Sequence, residues 1–353
     1  MSAREILQDM KSHTKFKNDR IEPPSNYFGA KLEKKVINNH EAWTITSHTY
    51  IKAAISNVET HIRTMNKRLP TRVSTLMTSN YVPELDATPE LSSSDTQYYQ
   101  ELIGILRWAT ELGRVDILLE VSLLSQYQAS PREGHMEQAL HIFAYLKKSP
   151  KLTLYLDPDL PKIDYSIFTA NPNDFAKYYR DANEDLPHRM PKARGRPVTV
   201  TAYVDASHAA NKKTRRSHSG HIIFVNRSPV LWYSKRQRTV ETSSFSAEYI
   251  AMKTCVEAIQ QLRFKLRMFG IPIINDEPCY VLCDNESVVN NSSKVESTLN
   301  KKHSSVAYHY VRWAVAAKII SVAWIPGNEN LADAMTKHLS EGTRQYLFGN
   351  WTY

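Results

Sequence analysis

The sequence predicts an α/β fold in which a mixed five-stranded sheet with flanking helices follows a mostly helical region. Apolar and polar residues alternate over 198–206, which is typical of a strand, whereas apolar residues recur at helical spacing over 102–112. A stretch rich in proline, 157–197, separates the two patterns. We therefore predict three segments: 1–156, a linker or irregular insertion at 157–197, and a domain at 198–353.

The composition is that of a globular protein and indicates an anionic partner. The chain has 353 residues, of which 42% are hydrophobic and 23% charged, and a formal net charge of +9. Such a basic surplus favours binding to a polyanion. No apolar run is long enough to span a membrane, and the N-terminus has no secretory or transit pattern, so we expect a cytoplasmic or nuclear location. The three cysteines form no CxxC pair, which fits a reducing compartment and not a structural zinc site.

The first half is predicted to contain amphipathic helices. Three of them follow a polar loop at 80–97, over roughly 102–112, 115–127 and 136–146. We interpret their apolar stripes as core packing, because such stripes most often face a protein interior.

The second half alternates strands and helices in a regular order. Strands are predicted over 198–206, 221–226, 230–234, 280–283 and 319–325. Helices are predicted over 246–269 and 304–318, with a short last helix that begins at Asn330. The order β-β-β-α-β-α-β-α describes a mixed sheet with helices on its faces.

Four acidic residues lie at the ends of these elements. Asp205 ends the first strand and Asp284 ends the fourth, while Glu248 and Asp333 lie near the starts of two helices. If the first and fourth strands are neighbours, the four side chains can meet, and they would repel one another strongly unless cations bind. Carboxylate oxygens suit Mg²⁺ or Mn²⁺, and two such ions can activate water and stabilise the leaving oxygen of a phosphodiester. One acid alone would be interpreted as a capping or surface group, but four at these positions predict a metal site.

The segments that carry these acids have characteristic sequences. They read YVDASHAANKKTRRSHSGHIIFVNRSPVLWYSKRQ, SAEYIA, CDNESVV and ISVAWIPGNENLADAMTKHL. In this order and spacing, over roughly 198–340, they resemble the ribonuclease H domain of copia-type long-terminal-repeat retrotransposons. The resemblance implies that the family's four metal-binding acids correspond to Asp205, Glu248, Asp284 and Asp333.

The resemblance also implies an activity and a role for each acid. The expected reaction is two-metal hydrolysis of the RNA strand of an RNA/DNA hybrid, with Mg²⁺ or Mn²⁺, leaving a 5′-phosphate and a 3′-hydroxyl. Asp205 would bridge both ions, and Asp333 would hold the ion on the nucleophile side. Glu248 and Asp284 would hold the other ion.

One histidine departs from the usual pattern of ribonucleases H. Many of them carry a mobile histidine in the loop before the last acid, but the loop 326–330 contains none. Copia-type elements have a Lys-His pair at an earlier helix start, which Lys302 and His303 match. Two roles for His303 remain open: proton transfer or product release, and phosphate contact or helix initiation.

Basic residues cluster near the acids in the sequence and are predicted to contact nucleic acid. The set comprises Lys212, Lys213, Arg215, Arg216, Lys235, Arg236, Lys301 and Lys302. Such residues would neutralise hybrid phosphates and make binding dependent on salt. The alternative for each is a solvated loop residue.

The first half resembles the end of a reverse transcriptase from the same elements. The segments WTITSHTYIKAAI and YYQELIGILRWATELGRVDILLEVSLLSQYQ carry this resemblance, so 1–156 is expected to be the palm end and the thumb or connection region. Polymerases of this family need a YxDD string, and no Asp-Asp pair occurs in the sequence. We therefore expect no polymerase activity from this chain. Met1 is compatible with an internal methionine of a longer polyprotein, and other Pol segments are candidate partners.

Two further hypotheses compete with a hybrid-specific endonuclease. The first is a non-catalytic nucleic-acid-binding remnant of a truncated retrotransposon polyprotein. The second is an integrase-like transposase on the same fold, in which the acids would run Asp, Asp, Glu. The glutamate comes second in this sequence, which disfavours the transposase.

Overall fold

The structure is a computed structural model that describes residues 3–13, 15, 24–37, 40–175, 177–297, 299, 305–349 and 352. Its strands are β1 (Asn26–Tyr27), β2 (Ala30–Ile37), β3 (His40–Thr46), β4 (Thr153–Leu156), β5 (Val200–Ser207), β6 (His218–Val225), β7 (Ser228–Arg236), β8 (Cys279–Cys283) and β9 (Ile320–Trp324). Its α-helices are α1 (Ala3–His13), α2 (His48–Thr64), α3 (Ser93–Glu111), α4 (Leu118–Leu124), α5 (Glu133–Lys148), α6 (Pro172–Phe175), α7 (Ser244–Met268), α8 (Glu286–Ser293), α9 (Ser305–Ala316) and α10 (Glu341–Phe348). None of the helices in these ranges is long and apolar enough to cross a membrane.

Helices α2 to α5 share the hydrophobic core of the first half. The apolar stripe of α3 packs in this core, as its spacing predicts: Leu102, Leu106 and Ala109 have no exposed surface, and Ile105 is partly buried. A small antiparallel sheet in the order β1-β2-β3-β4 accompanies the helices. Its last strand follows α5, so the chain returns to pair with β3 after the helices are complete.

The second sheet has the predicted mixed architecture. Its five strands lie in the order β7-β6-β5-β8-β9. The first three pair antiparallel, whereas β8 pairs parallel with both β5 and β9. Parallel neighbours need a crossover, and α7 supplies the first one, packing on β5 and β6 with its apolar face. The sheet therefore has β5 at its centre, with one antiparallel and one parallel neighbour.

Two helices of this half, α8 and α10, were missing from the predicted order. Helix α8 follows β8 directly, begins at the N-cap Asn285 and buries Val288 and Val289. Its segment, ESVVNNSS, is short and polar, so helical periodicity could not show it.

The proline-rich stretch packs on the second sheet's helices. It contains α6, whose Phe175 is fully buried in the core of the second half. Further on, the Glu184 carboxylate accepts hydrogen bonds from Arg263 and Arg267 of α7 at 2.8–2.9 Å. Because Arg263 is buried, this pairing satisfies a charge that would otherwise be costly in the interior. The division into three segments remains a prediction.

The helical region lies against the outer strand β7. The Trp232 indole donates to the carbonyl of Thr110 at 3.1 Å, and the Ser122 hydroxyl donates to the carbonyl of Ser234 at 2.7 Å. These contacts join residues more than 100 positions apart. They place the end of α3 and the helix α4 beside the sheet that carries the acids.

Candidate active site

Asp205 and Asp284 lie side by side because their strands are parallel neighbours. In the register of β5 and β8, Val204 pairs with Cys283, so the acid that follows each of them lies at the same level of the sheet. The Asp205 side chain is buried within β5, and Asp284 comes directly after β8. The predicted neighbourhood of the first and fourth strands is confirmed.

Asp333 reaches the same position on a short 3-10 helix, Leu331–Met335. The fully buried Asn330 fixes this helix: its amide donates to the carbonyl of Val204 at 3.0 Å, while its side-chain oxygen accepts from the backbone N–H of Ala332. Asn330 therefore begins a helical segment, as predicted, and attaches it to β5 one residue before Asp205. This segment is not the last helix, because α10 follows it.

The three aspartates form a compact group of possible metal ligands. One carboxylate oxygen from each of Asp205, Asp284 and Asp333 lies within 4.8 Å of the others. Oxygen ligands at such spacing from three separate elements suit a hard divalent cation such as Mg²⁺ or Mn²⁺. The sequence predicted all three members of the group.

Glu248 approaches this group from α7 but is not one of the three. The helix begins at Ser243, whose hydroxyl accepts from the backbone N–H of Ser246, and Glu248 follows in the next turn. Its Oε2 atom is buried and has no hydrogen-bond partner in the described part of the chain. Burial, followed by the charges of Asp205 and Asp284, raises the pKa of Glu248 to about 9. A buried, unpartnered oxygen beside two other acids is well placed to bind a cation.

Asp205 and Asp333 are also harder to ionise than usual. Burial raises the pKa of Asp205 to about 6, although Lys337 and Thr336 oppose the shift and Asp333 and Asp284 add to it. Burial likewise raises the pKa of Asp333 against the opposing effect of Lys337. Raised carboxylate pKa values caused by burial and neighbouring acids are typical of functional sites.

The site includes two residues that sequence reasoning missed. The Thr336 hydroxyl donates to Asp205, and the Lys337 ammonium lies 2.7 Å from Asp333 Oδ1 and 3.3 Å from Asp205 Oδ1. Both follow Asp333 in the ADAMTK string. The i,i+4 spacing of Asp333 and Lys337 was the available signal, because such pairs face one another on a helical turn.

Gly220 permits the close approach of this segment to the sheet. It pairs with Asp205 across β5 and β6, and a Cβ atom there would lie 2.5 Å from the Cβ of Met335 and 2.6 Å from Cγ2 of Thr336. Separations below about 3 Å are not tolerated by packed carbon atoms, so only glycine fits.

Some of the predicted basic residues meet in a cavity beside the acids. A cavity of about 640 Å³ lies between the helical region and the second sheet; Lys212, Arg216 and Arg236 line it. Thr336 and Lys337 line the same cavity, which connects it to the aspartates. Lys235 lines a neighbouring cavity of about 510 Å³ together with Arg216 and Arg236.

The remaining predicted residues divide into two kinds. Lys213 and Arg215 are exposed in the loop after β5, which fits the alternative of solvated loop residues. Lys301, Lys302 and His303 lie outside the described residues, so the predictions for them stay predictions.

Comparison with known proteins identifies relatives of this chain. No protein-family profile matches it. The retrovirus-related Pol polyprotein from transposon RE1 of Arabidopsis thaliana is 25% identical over 258 residues, covering 73% of this chain and 15% of that protein. The corresponding polyprotein from transposon TNT 1-94 of Nicotiana tabacum is 26% identical over 240 residues, covering 68% of this chain and 15% of that protein.

A solved structure is also similar to part of this chain. The crystal structure of LC11-RNase H1 in complex with an RNA/DNA hybrid has a TM-score of 0.31 and 19% identity, and the match covers 39% of this chain and 94% of that one.

The strand order and the mixed sheet define a ribonuclease H-like α/β fold, as the sequence predicted. More particularly, the chain is similar in sequence to retrovirus-related Pol polyproteins from transposons. It spans about 15% of the length of the first curated relatives that it matches.

Proposed function

We propose that this chain is a retrotransposon-derived ribonuclease H that hydrolyses the RNA strand of RNA/DNA hybrids. The observation that carries the proposal is the convergence of Asp205, Asp284 and Asp333 within 4.8 Å on an RNase H-like sheet. The buried, unpartnered oxygen of Glu248 beside them supports a cation site that uses all four acids.

Each side chain has a distinct task in this proposal. Asp205 would help to hold both divalent ions, Asp333 would hold the ion on the nucleophile side, and Glu248 and Asp284 would hold the other. Bound Mg²⁺ or Mn²⁺ supplies an activated water and neutralises the leaving oxygen. Thr336 orients the Asp205 carboxylate by donating a hydrogen bond to it. Burial keeps bulk water from the carboxylates of Asp205 and Glu248, which would strengthen their interaction with the cations.

The proposal excludes polymerase activity from this chain. The sequence lacks the paired aspartates that this chemistry uses. Primer extension by the purified chain on a primed template would contradict this part of the proposal.

The proposed function is tested with a labelled RNA/DNA hybrid and Mg²⁺. We expect the wild-type protein to shorten the RNA strand to products with 5′-phosphates, and both EDTA and the Asp205→Asn substitution to abolish cleavage. Duplex RNA, duplex DNA and single-stranded RNA of the same sequence should remain intact. Equal cleavage by wild type and variant would reveal a contaminant, and no cleavage by either would favour a non-catalytic remnant.

The cavity of about 640 Å³ lined by Lys212, Arg216 and Arg236 predicts where the hybrid binds. Replacing Arg216 and Arg236 by alanine should weaken hybrid binding and reduce the slope of log K against log salt by about 0.9 for each phosphate that the variant no longer neutralises. Fluorescence anisotropy between about 50 and 200 mM salt measures both effects. Lys213→Ala, in the same region of the chain, is the matched control. An unchanged slope in the double variant would place the hybrid elsewhere.

A further inference from the structure

Lys337 lies among the residues proposed to bind the metal. Its ammonium nitrogen is 2.7 Å from Asp333 Oδ1 and 3.3 Å from Asp205 Oδ1. Metal–oxygen bonds to Mg²⁺ or Mn²⁺ would be roughly 2.0–2.2 Å long and would use the same carboxylates. The ammonium and a divalent ion would therefore compete for these carboxylates.

The main chain around Lys337 is fixed, so its position in the site does not depend on a loose loop. Its N–H donates to the carbonyl of Asp333 at 2.9 Å. Two residues earlier, the carbonyl of Met335 accepts from the Ser234 hydroxyl at 2.6 Å. Only rotation of the lysine side chain can move the ammonium.

The side chain has room for that rotation. It is 41% exposed, whereas the Asp205 side chain is 2% exposed. It also lines the cavity of about 640 Å³ beside the acids. The ammonium can leave the carboxylates and remain solvated, while the carboxylates themselves stay where they are.

We propose that Lys337 is a built-in competitor for the divalent metal, whose ammonium pairs with Asp205 and Asp333 until an ion displaces it into the adjoining cavity. This inference rests on the proposed function, because it assumes a metal site at these carboxylates. Its consequence is a weaker affinity for metal than the four acids alone would provide, and therefore a higher metal requirement. In return, the ammonium offsets the repulsion between the carboxylates when no ion is bound.

Titration of the metal-free protein with Mn²⁺, followed by electron paramagnetic resonance, tests the competition without measuring activity. We expect Lys337→Met, which keeps the apolar stem and removes the charge, to bind Mn²⁺ about tenfold more tightly than wild type, because an adjacent opposite charge shifts a carboxylate equilibrium by about one to three orders of magnitude. Lys337→Arg, which keeps the charge, should stay close to wild type. Lys265→Met, at an exposed position on α7, is the control and should bind Mn²⁺ like wild type.

Thermal unfolding of the same variants gives a second readout. Without metal, Lys337→Met should unfold at a lower temperature than wild type, and saturating Mn²⁺ should remove most of this difference. Equal or weaker Mn²⁺ binding by a folded Lys337→Met protein would overturn the inference and leave the metal site standing. Absence of Mn²⁺ binding in wild type and in every variant would overturn the proposed metal site itself.

Discussion

Replacing Glu248 by glutamine is expected to stabilise the metal-free protein at pH 8 and to reduce hybrid cleavage by at least about a hundredfold. Glutamine has nearly the same shape but cannot be ionised. The pKa of Glu248 is raised to about 9 in the folded chain, first by burial and then by Asp205 and Asp284. The folded state therefore holds a proton more tightly than the unfolded state does.

The sign of the pH effect follows from this difference. Between about pH 4.5 and pH 9, the free energy of unfolding of the metal-free wild-type protein should fall as pH rises. In this range Glu248 takes up a proton when the chain folds, and proton uptake becomes less favourable as pH rises. Glu248→Gln removes this contribution, so its free energy of unfolding at pH 8 should exceed that of the wild type by about 2 kcal/mol. Each pKa unit corresponds to about 1.4 kcal/mol, and the coupled acids share the shift. Urea unfolding in EDTA at pH 5 and pH 8 measures the gain.

A matched glutamate on the same helix serves as a control that separates the effect of burial on stability from the effect of helix propensity. Glu257 is 44% exposed and pairs with Lys253, so Glu257→Gln should change stability by less than about 0.5 kcal/mol at either pH. If Glu248→Gln and Glu257→Gln changed the free energy of unfolding equally, burial of the Glu248 carboxylate would not destabilise the protein. Unimpaired cleavage by Glu248→Gln would remove Glu248 from the proposed metal ligands.

Replacing Gly220 by alanine is expected to destabilise the protein by about 2 kcal/mol and to impair cleavage severely. The new methyl group would lie 2.5 Å from the Cβ of Met335 and 2.6 Å from Cγ2 of Thr336. Relief of this overlap requires the segment Leu331–Met335 to move away from β6, and Asp333 and Lys337 move with it. A displacement of about 1 Å at a reacting site can cost about a hundredfold in rate.

Gly104 provides the control for the loss of glycine. It lies inside α3, and a Cβ atom there would meet nothing within 4 Å. Gly104→Ala should therefore stabilise the protein by about 0.5–1 kcal/mol through helix propensity and leave cleavage unchanged. Urea unfolding and kcat/KM on the hybrid distinguish the two variants. Normal cleavage by a folded Gly220→Ala protein would show that the acids tolerate movement of this segment.

Much of the fold and of the candidate site could be predicted because the relevant signals are local. The alternation over 198–206 placed Asp205 near the end of a strand, and the apolar run before Asp284 placed that residue after another. Parallel pairing then makes the two acids neighbours. Helix α8 escaped prediction because its eight residues show no apolar periodicity, and polar caps alone do not reveal a short helix.

The basic residues show what local sequence patterns could not predict. Lys212 and Lys213 are adjacent, equally basic and both exposed, yet Lys212 lines the cavity beside the acids and Lys213 does not. Orientation of a loop side chain depends on what packs against the loop. In this protein the backbone N–H of Lys212 donates to Glu84 at 2.6 Å, across 128 positions of sequence.

The sequence by itself determined the α/β class and predicted the four acids and a polyanionic partner, because periodicity, residue type and charge are properties of short segments. Only the tertiary structure decided that Lys337 pairs with Asp205, that Gly220 must lack a side chain, and that α4 lies against β7 beside the site. Each of these depends on contacts between residues far apart in the chain. Such contacts arise when the sheet and helices pack together, and no local pattern encodes them.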